Sequence, residues 1–301
     1  NFTNFRQVSG KENGDLPAEN EKSGNKTRSA STQSFTFIIN EEEKCKDKTP
    51  FLVLLIATRA VEIQHRDAIR KSWGSESAVP GVDVVRLFML GIESRAADED
   101  LLLRESEQYR DIIQQDFLDT YNNLTLKTLM GMKWVASYCS GTRFAMKTDT
   151  DVFVNTVHLV EKLLRPLLPP TQNYFTGCLM KGHRPIRNKD SKWYISEEEF
   201  PDNQYHPFCS GTGYVFSGDL AAKIVSASLM VKYIHLEDVF VGFCLNAKGV
   251  EIVPPPSYSL FNIYKVPFSP CGYNNIITSH HIQPDEHIHY WQTLQEKKHT
   301  C

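Results

Sequence analysis

Apolar runs of strand length alternate with helical segments along the first half of the chain. The runs FLVLLIAT, VDVVRLFMLG and DIIQQDF are typical of β-strands, whereas HRDAIRKSWG and residues 101–109 and 125–138 have helical spacing. The alternation continues to about residue 167. It predicts an α/β fold with a mostly parallel, doubly wound sheet flanked by helices, in which ligands bind at the carboxyl ends of the strands.

The second half of the chain is less regular. NYFTGCLM, SGTGYVFSG and IITSHHI are strand candidates, and HLEDVFVGFCLNAKG is a helix closed by Gly249. The glycines of SGTG precede a strand and do not open a helix, so they fail as a dinucleotide fingerprint. We expect them to let the backbone pass close to another chain segment or to a sugar.

The first 33 residues differ from the rest in composition. They are rich in Asn, Ser, Lys, Glu and Gly and contain few large apolar groups, so burial cannot offset the entropy of ordering them. We expect a flexible stem over residues 1–33 and a single folded domain over residues 34–301. The chain begins at Asn1 and not at Met, which is what removal of a leader or anchor would leave.

Charge and hydropathy exclude two classes of protein. With 33 basic and 36 acidic residues the chain is near neutral, which argues against nucleic-acid binding. It has no apolar stretch of 18 residues, so we expect no segment of it to span a bilayer.

Cysteines and glycosylation sequons indicate the compartment. Seven widely spaced cysteines form no Cys-x-x-Cys pair, which argues against a zinc knuckle or a thioredoxin-type centre, and their odd number leaves at least one thiol free or paired to another chain. Sequons at Asn1, Asn25 and Asn123 fit passage through an oxidising secretory compartment.

The segment RFAMKTDTDVFVN contains the first candidate site. Its apolar run ends in two carboxylates, Asp149 and Asp151, separated by Thr150, at the expected carboxyl end of a strand. Two carboxylates there suit a hard divalent cation, and such a cation suits a diphosphate. The other acidic triplet, residues 98–100, follows no strand, and we interpret it as a solvated loop or a helix start.

A second pair of acids, Glu237 and Asp238, precedes an apolar helix. Either both cap the helix, or one caps it while its neighbour faces the cleft as a general base. Four histidines also cluster near the C-terminus. Strand alternation predicts that His280 and His281 point to opposite faces, so that at most one of them faces a metal. One imidazole with two Asp oxygens suits manganese.

Seven motifs together resemble the β-1,3-galactosyltransferase family of Golgi glycosyltransferases, over roughly residues 35–301: FLVLLIAT, RDAIRKSWG, NLTLKTLMGMKWV, MKTDTDVFVN, SKWY, FCSGTGYVFSGD and HLEDVFVGFCL. The resemblance implies a single GT-A domain that uses UDP-galactose and Mn²⁺ and inverts the anomeric centre. The implied acceptor is the 3-hydroxyl of a β-linked terminal GlcNAc on a glycoprotein or glycolipid. The implied location is the Golgi lumen, with a type II membrane anchor upstream of the stem.

The resemblance also implies ligands for the donor and the metal. Asp151 and His280 would coordinate the metal, and Asp149 would contact the donor directly or through the metal. Thr150 stands between the two acids where relatives usually have Ser, a change that should preserve the ligand geometry. Arg66 and Arg70 resemble basic residues near the nucleotide; the alternative for both is a solvated helix face.

On the acceptor side the resemblance implies that Asp238 is the general base, with Glu237 left to cap or to position. Trp193 and Tyr194 resemble residues near the sugar-binding cleft, although a core tryptophan would look the same in sequence. Cys178 stands where relatives tend to have an aromatic residue, which makes it the candidate for the unpaired thiol.

Three other functions stay open. The same metal and base would serve UDP-GlcNAc or UDP-GalNAc as donor. A non-catalytic secreted sugar-binding module could keep the fold, although the combination of acids and histidine argues against it. A metal-dependent hydrolase would need more clustered ligands than this sequence offers.

Overall fold

The computed structural model describes residues 34–93 and 97–297. The predicted stem, residues 1–33, lies outside that part, so the division into stem and domain stays a prediction. The strands are β1 Phe37–Ile39, β2 Leu52–Ala57, β3 Val84–Ile92, β4 Ile112–Leu118, β5 Phe144–Asp149, β6 Val152–Val154, β7 Phe175–Met180, β8 Phe208–Ser217 and β9 Thr278–His280.

The helices are α1 Ile63–Arg70, α2 Ala97–Tyr109, α3 Leu124–Tyr138, α4 Thr156–His158, α5 Asp219–Ser228, α6 Glu237–Ala247, α7 Pro270–Tyr273 and α8 Pro284–Glu296. A 3₁₀ turn, Tyr121–Asn123, precedes α3, and a π-helical stretch, Leu159–Leu164, continues α4. None of the described helices is both long and apolar enough to cross a bilayer.

Seven strands form one central sheet in the order β1-β4-β3-β2-β5-β8-β7. Its four central strands, β4, β3, β2 and β5, are parallel, and β1, β8 and β7 pair antiparallel at the two sides. The parallel strands are covered on both faces, which is why β2 is apolar and fully buried along its length. The predicted α/β class is confirmed.

Helices cover both faces of the sheet. One core contains α3, α5 and α6 around Trp134, and the other contains the segment after α1, with Trp73, packed against α8. Helix α3 packs close to the sheet because Gly131 has no side chain. A Cβ at this position would lie 2.3 Å from the Met89 sulfur. The two separate cores confirm the doubly wound arrangement.

Local expectations from the sequence are largely met. The acidic triplet 98–100 lies in the first turn of α2, as the helix-start interpretation predicted. The segment from residue 155 to 164 is helical, with the Asn155 side chain accepting a hydrogen bond from the His158 amide at its start. A disulfide joins Cys45 to Cys139, and Cys178 carries a free thiol, as predicted, but so do Cys209 and Cys244.

Candidate functional site

The parallel strands β2, β4 and β5 end at the same edge of the sheet. The residues that follow these three strands line a cleft of about 530 Å³. Ala57, the last residue of β2, lies beside Asp149, the last residue of β5, so the segments after both strands meet there. Glu62 ties these segments together, because one of its oxygens accepts from the Thr58 hydroxyl, the Arg59 amide and the Thr150 hydroxyl, each at 3.0 Å.

Asp151 and two histidines form a cluster with the composition of a metal site. Asp151 Oδ2 lies 3.1 Å from His280 Nε2 and 3.9 Å from His281 Nδ1, and one ligand atom from each of the three lies within 4.8 Å of the others. The antiparallel pairing of β6 with β9 brings them together, since Val152 lies opposite His280. Burial raises the pKa of Asp151, but the hydrogen bond from His280 outweighs burial, so the pKa of Asp151 is lowered.

The orientation of His280 suits a ligand. Its Nδ1 lies 3.0 Å from the Ile263 carbonyl oxygen, which can only accept, so Nδ1 carries the proton. Nε2 faces Asp151, to which it donates when the ring is protonated, and Nε2 would bind a cation after losing that proton. A histidine that donates its second nitrogen to a backbone carbonyl is a common arrangement in metal sites. The residues present therefore fit a divalent cation.

The prediction that His280 and His281 point to opposite faces was wrong. Alternation requires extended backbone, and β9 ends at His280, while His281 has a φ of +60° in the left-handed region. The two rings consequently stack, with their centroids 3.8 Å apart, and both reach the neighbourhood of Asp151.

Asp149 is not part of this cluster, because a buried lysine holds it. Lys147 Nζ lies 2.8 Å from Asp149 Oδ1, 2.7 Å from the Gly211 carbonyl oxygen and 3.3 Å from Glu237 Oε2. The Lys147 side chain is completely buried. Burial alone would lower the pKa of Lys147, but Asp149 and Glu237 raise it, so the amine is charged. Lys147 therefore connects the two acidic motifs that the sequence placed far apart.

Glu237 and Asp238 have different surroundings. Glu237 is buried and accepts a short hydrogen bond from the Tyr214 hydroxyl, and burial raises the pKa of Glu237 to about 7 against the opposing charge of Lys147. Asp238 accepts from the Gly211 amide at 3.0 Å and from the Val239 amide at 2.9 Å. Glu237 does not cap α6, because the helix has no side-chain cap and the Glu237 carboxylate contacts Tyr214 and Lys147 instead.

Gly211 makes this proximity possible. A Cβ at this position would lie 2.8 Å from Glu237 Oε2, so a larger residue would displace the carboxylate. The sequence prediction that these glycines allow close approach of another segment is confirmed. Because Gly211 also binds Lys147 and Asp238, a short chain of contacts runs from Asp149 through Lys147 and Gly211 to Asp238.

Tyr121 lines the cleft, and Trp193 is linked to it through Lys192. Trp193 is 50% exposed, which excludes the alternative of a core tryptophan, and Lys192 Nζ lies 4.7 Å from its ring centroid. The same amine lies 6.0 Å from the ring of Tyr121, a cleft residue that the sequence analysis did not identify. Partial burial and the nearby carboxylates, Asp238 first, raise the pKa of Tyr121 to about 12. Tyr194 is half-buried.

Arg66 and Arg70 lie neither on a solvated helix face nor in the cleft. Both are buried: Arg66 binds Glu105 at 2.7 Å, and Arg70 binds Asp111 at 2.8 Å. Arg66 also donates to the carbonyl oxygens of residues 59 and 60, so it braces the segment that follows β2. Arginines four residues apart occur both on buried helix faces and on solvated ones. The sequence alone therefore could not show that Arg66 and Arg70 are buried.

Arg59 is the arginine that lines the cleft. Its side chain is 54% exposed and pairs with Glu93 at 3.1 Å. The sequence contained one signal for it, since Arg59 directly follows the first buried strand, where an α/β sheet binds its ligand.

Comparisons with known proteins identify the family of this chain. A profile of the family described as Galactosyltransferase matches residues 64–256. Beta-1,3-galactosyltransferase 2 of Mus musculus is 55% identical over 269 residues, which cover 89% of this chain and 64% of that protein. Beta-1,3-galactosyltransferase 1 of Mus musculus is 46% identical over 274 residues, which cover 91% of this chain and 83% of that protein.

The chain spans 64% of the length of the relatives that match it first. Among solved structures, galactosyltransferase LgtC in complex with donor and acceptor sugar analogs aligns with 81% of this chain and 95% of its own, at 10% identity and a TM-score of 0.38. That likeness is too distant to bear on function.

Proposed function

Because the chain belongs to the galactosyltransferase family, we propose that it transfers galactose from UDP-galactose to the 3-hydroxyl of a terminal β-linked GlcNAc, with inversion at the anomeric carbon. The observation that carries the proposal is the arrangement of the cleft. Asp151 and His280 form one group, and Asp238 is joined to the neighbouring Asp149 through Lys147 and Gly211.

Asp151 and His280 would hold the divalent cation, which we propose to be Mn²⁺, and His281 is placed to assist them. The cation would supply positive charge that stabilises the leaving UDP diphosphate. Carboxylate oxygen and imidazole nitrogen together suit manganese better than a purely oxygen-bound ion. Asp149 and Thr150 would face the donor, and Arg59 adds an exposed cation at the same rim of the cleft.

Asp238 would act as the general base. A sugar hydroxyl has a pKa far above 7, so its attack needs an acceptor for the proton. Burial raises the pKa of Asp238 above its ordinary value, and the amides of Gly211 and Val239 offset part of that rise and hold the carboxyl group in one orientation. Each oxygen accepts one amide and retains a second lone pair for the acceptor hydroxyl.

Trp193 and Tyr194 would form the acceptor side of the cleft. The exposed ring of Trp193 offers a flat apolar face to a pyranose, and Lys192 holds that ring near Tyr121. Arg66 would act from its buried position by bracing the segment after β2, and Arg70 would act only through its pairing with Glu105 and Asp111. A direct bond from either to the nucleotide would require it to leave its carboxylate partners.

We also propose that the chain is the lumenal part of a Golgi protein whose type II membrane anchor lies upstream. The support is the resemblance of the sequence motifs to a family of Golgi glycosyltransferases and the disulfide between Cys45 and Cys139, since disulfides form in oxidising compartments.

Replacement of the base tests the proposal. In Asp238→Asn, turnover should fall at least about a hundredfold, since a positioned general base contributes that much. UDP binding should remain, because the amide keeps an oxygen for the Gly211 amide. A thermal shift with UDP and Mn²⁺ measures binding independently of turnover. Turnover within threefold of the wild type would remove Asp238 from the mechanism.

A further inference from the structure

Three buried groups link the C-terminal helix to the backbone between the two acids of the cleft. The Trp73 indole nitrogen donates to His287 Nδ1 at 3.0 Å, and His287 Nε2 lies 2.9 Å from the Thr150 carbonyl oxygen. Trp73 and His287 are fully buried, and Thr150 is 4% exposed. The contacts join residues 137 and 214 positions apart in sequence, so they form only in the folded chain.

The partners of His287 determine its tautomer. An indole nitrogen can only donate, so Nδ1 accepts, and a carbonyl oxygen can only accept, so Nε2 carries the hydrogen. Burial lowers the pKa of His287 to about 4, so the ring is neutral at physiological pH. Both ring nitrogens are therefore satisfied, and the ring also stacks on Phe153, with the planes 16° apart.

The Thr150 carbonyl belongs to the peptide that joins Thr150 to Asp151. Rotation of this peptide would redirect the Asp151 side chain. The neighbouring atoms are also restrained: the Thr150 hydroxyl donates to Glu62 at 3.0 Å, and the Ile282 amide donates to the Asp151 carbonyl oxygen at 2.9 Å. His287 supplies the one restraint on the Thr150 carbonyl itself among the hydrogen bonds of the described residues.

We propose that His287, fixed by Trp73, is a positioning residue that holds the Thr150–Asp151 peptide so that the Asp151 carboxylate faces His280. His287 contacts neither metal nor substrate and acts only through the backbone. The inference rests on the proposed function to the extent that the group formed by Asp151 and His280 binds a divalent cation. It does not depend on which sugar is transferred.

Two substitutions separate positioning from packing. Glutamine at position 287 can donate its amide hydrogen to the Thr150 carbonyl and accept from the Trp73 indole, whereas leucine can do neither. Binding of Mn²⁺ to the whole chain, with UDP present, is followed by the electron paramagnetic resonance signal of the free ion. His287→Leu should weaken apparent Mn²⁺ affinity about tenfold or more, the range seen for lost outer partners of metal ligands. His287→Gln should stay within about threefold of the wild type.

A matched control comes from the same helix. Leu294 is buried in α8 and is not among the residues that line the cleft, so Leu294→Ala should lower the melting temperature without changing Mn²⁺ affinity. Trp73→Phe removes the donor to His287 while keeping an aromatic ring, and it should weaken affinity in the same direction as His287→Leu. If His287→Leu does not fold, Trp73→Phe and His287→Gln still test the proposal.

The outcomes are separable. Unchanged Mn²⁺ affinity in His287→Leu, or in Trp73→Phe where the leucine variant does not fold, would overturn the positioning role, and so would an equal loss in Leu294→Ala. Absence of Mn²⁺ binding by the wild type would also overturn it. A wild type that binds Mn²⁺ but transfers no galactose would refute the proposed function and leave the role of His287 standing.

Discussion

Replacement of Glu237 by glutamine should change how stability depends on pH. Burial raises the pKa of Glu237 from 4.5 to about 7, a difference that corresponds to about 3 kcal/mol at 1.36 kcal/mol per pH unit. The folded chain therefore holds this proton more tightly than the unfolded chain. The free energy of unfolding should fall as pH rises from about 4.5 to about 7 and should level off above that.

Glutamine removes this dependence while it keeps an oxygen for the Tyr214 hydroxyl. The stability of Glu237→Gln relative to the wild type should thus increase by about 3 kcal/mol between pH 4.5 and pH 7.5. Urea unfolding of both metal-free proteins, followed by circular dichroism at half-unit pH steps, measures the difference.

Glu286→Gln is the control. Burial raises the pKa of Glu286, but the hydrogen bonds from Lys265 and the Gln283 amide lower it by more, to below its ordinary value. The contribution of Glu286 to the free energy of unfolding is therefore lost only as pH falls below about 4.5. Between pH 5 and pH 8 its stability curve should run parallel to that of the wild type. The reasoning about Glu237 is refuted if the curves of Glu237→Gln and the wild type are parallel over the same range.

Three more substitutions address other parts of the site. Lys147→Met should cost about 3–5 kcal/mol of unfolding free energy in urea titrations, because it leaves the buried Glu237 and the partly buried Asp149 without their cation, and a loss below about 1 kcal/mol would contradict this. Trp193→Ala should raise the acceptor KM about fivefold through lost stacking, with the donor KM unchanged, whereas an unchanged acceptor KM would remove the ring from the acceptor side. Asp151→Asn should abolish the thermal shift with UDP and Mn²⁺ but preserve the metal-free melting temperature, since Asp151 is 41% exposed, and a persistent shift would exclude it as a ligand.

The elements of the sheet were predictable because their signals are local. A parallel strand covered on both faces must be apolar throughout, so β2 and β3 are visible as continuous runs. The apolar run of β5 ends at Met146, and the strand continues past it to Asp149. Membership of the galactosyltransferase family, expected from seven motifs, was confirmed.

The contacts between distant segments were not predictable in the same way. Lys147 contained one signal, since a lysine inside a buried strand must find a counter-ion, but the sequence did not identify Glu237 as a partner. The prediction for His281 was wrong because the left-handed backbone of His281 itself ends the alternation of the strand. The residue type gives no indication of that conformation, since histidine is not restricted to it. A charged residue such as Arg66 is expected at the surface from its sequence. It is buried in the structure because Glu105 pairs with it.

Linkage analysis of the product is the most direct measurement. The protein is incubated with Mn²⁺, a GlcNAc-terminated acceptor and, separately, UDP-galactose, UDP-GlcNAc and UDP-GalNAc, and the product is analysed by methylation and by nuclear magnetic resonance. Transfer from UDP-galactose to give a β-1,3 bond, lost on chelation of the metal and in Asp238→Asn, is the predicted result. An α-linked product, a preferred donor other than UDP-galactose, or full transfer by the asparagine variant would contradict it.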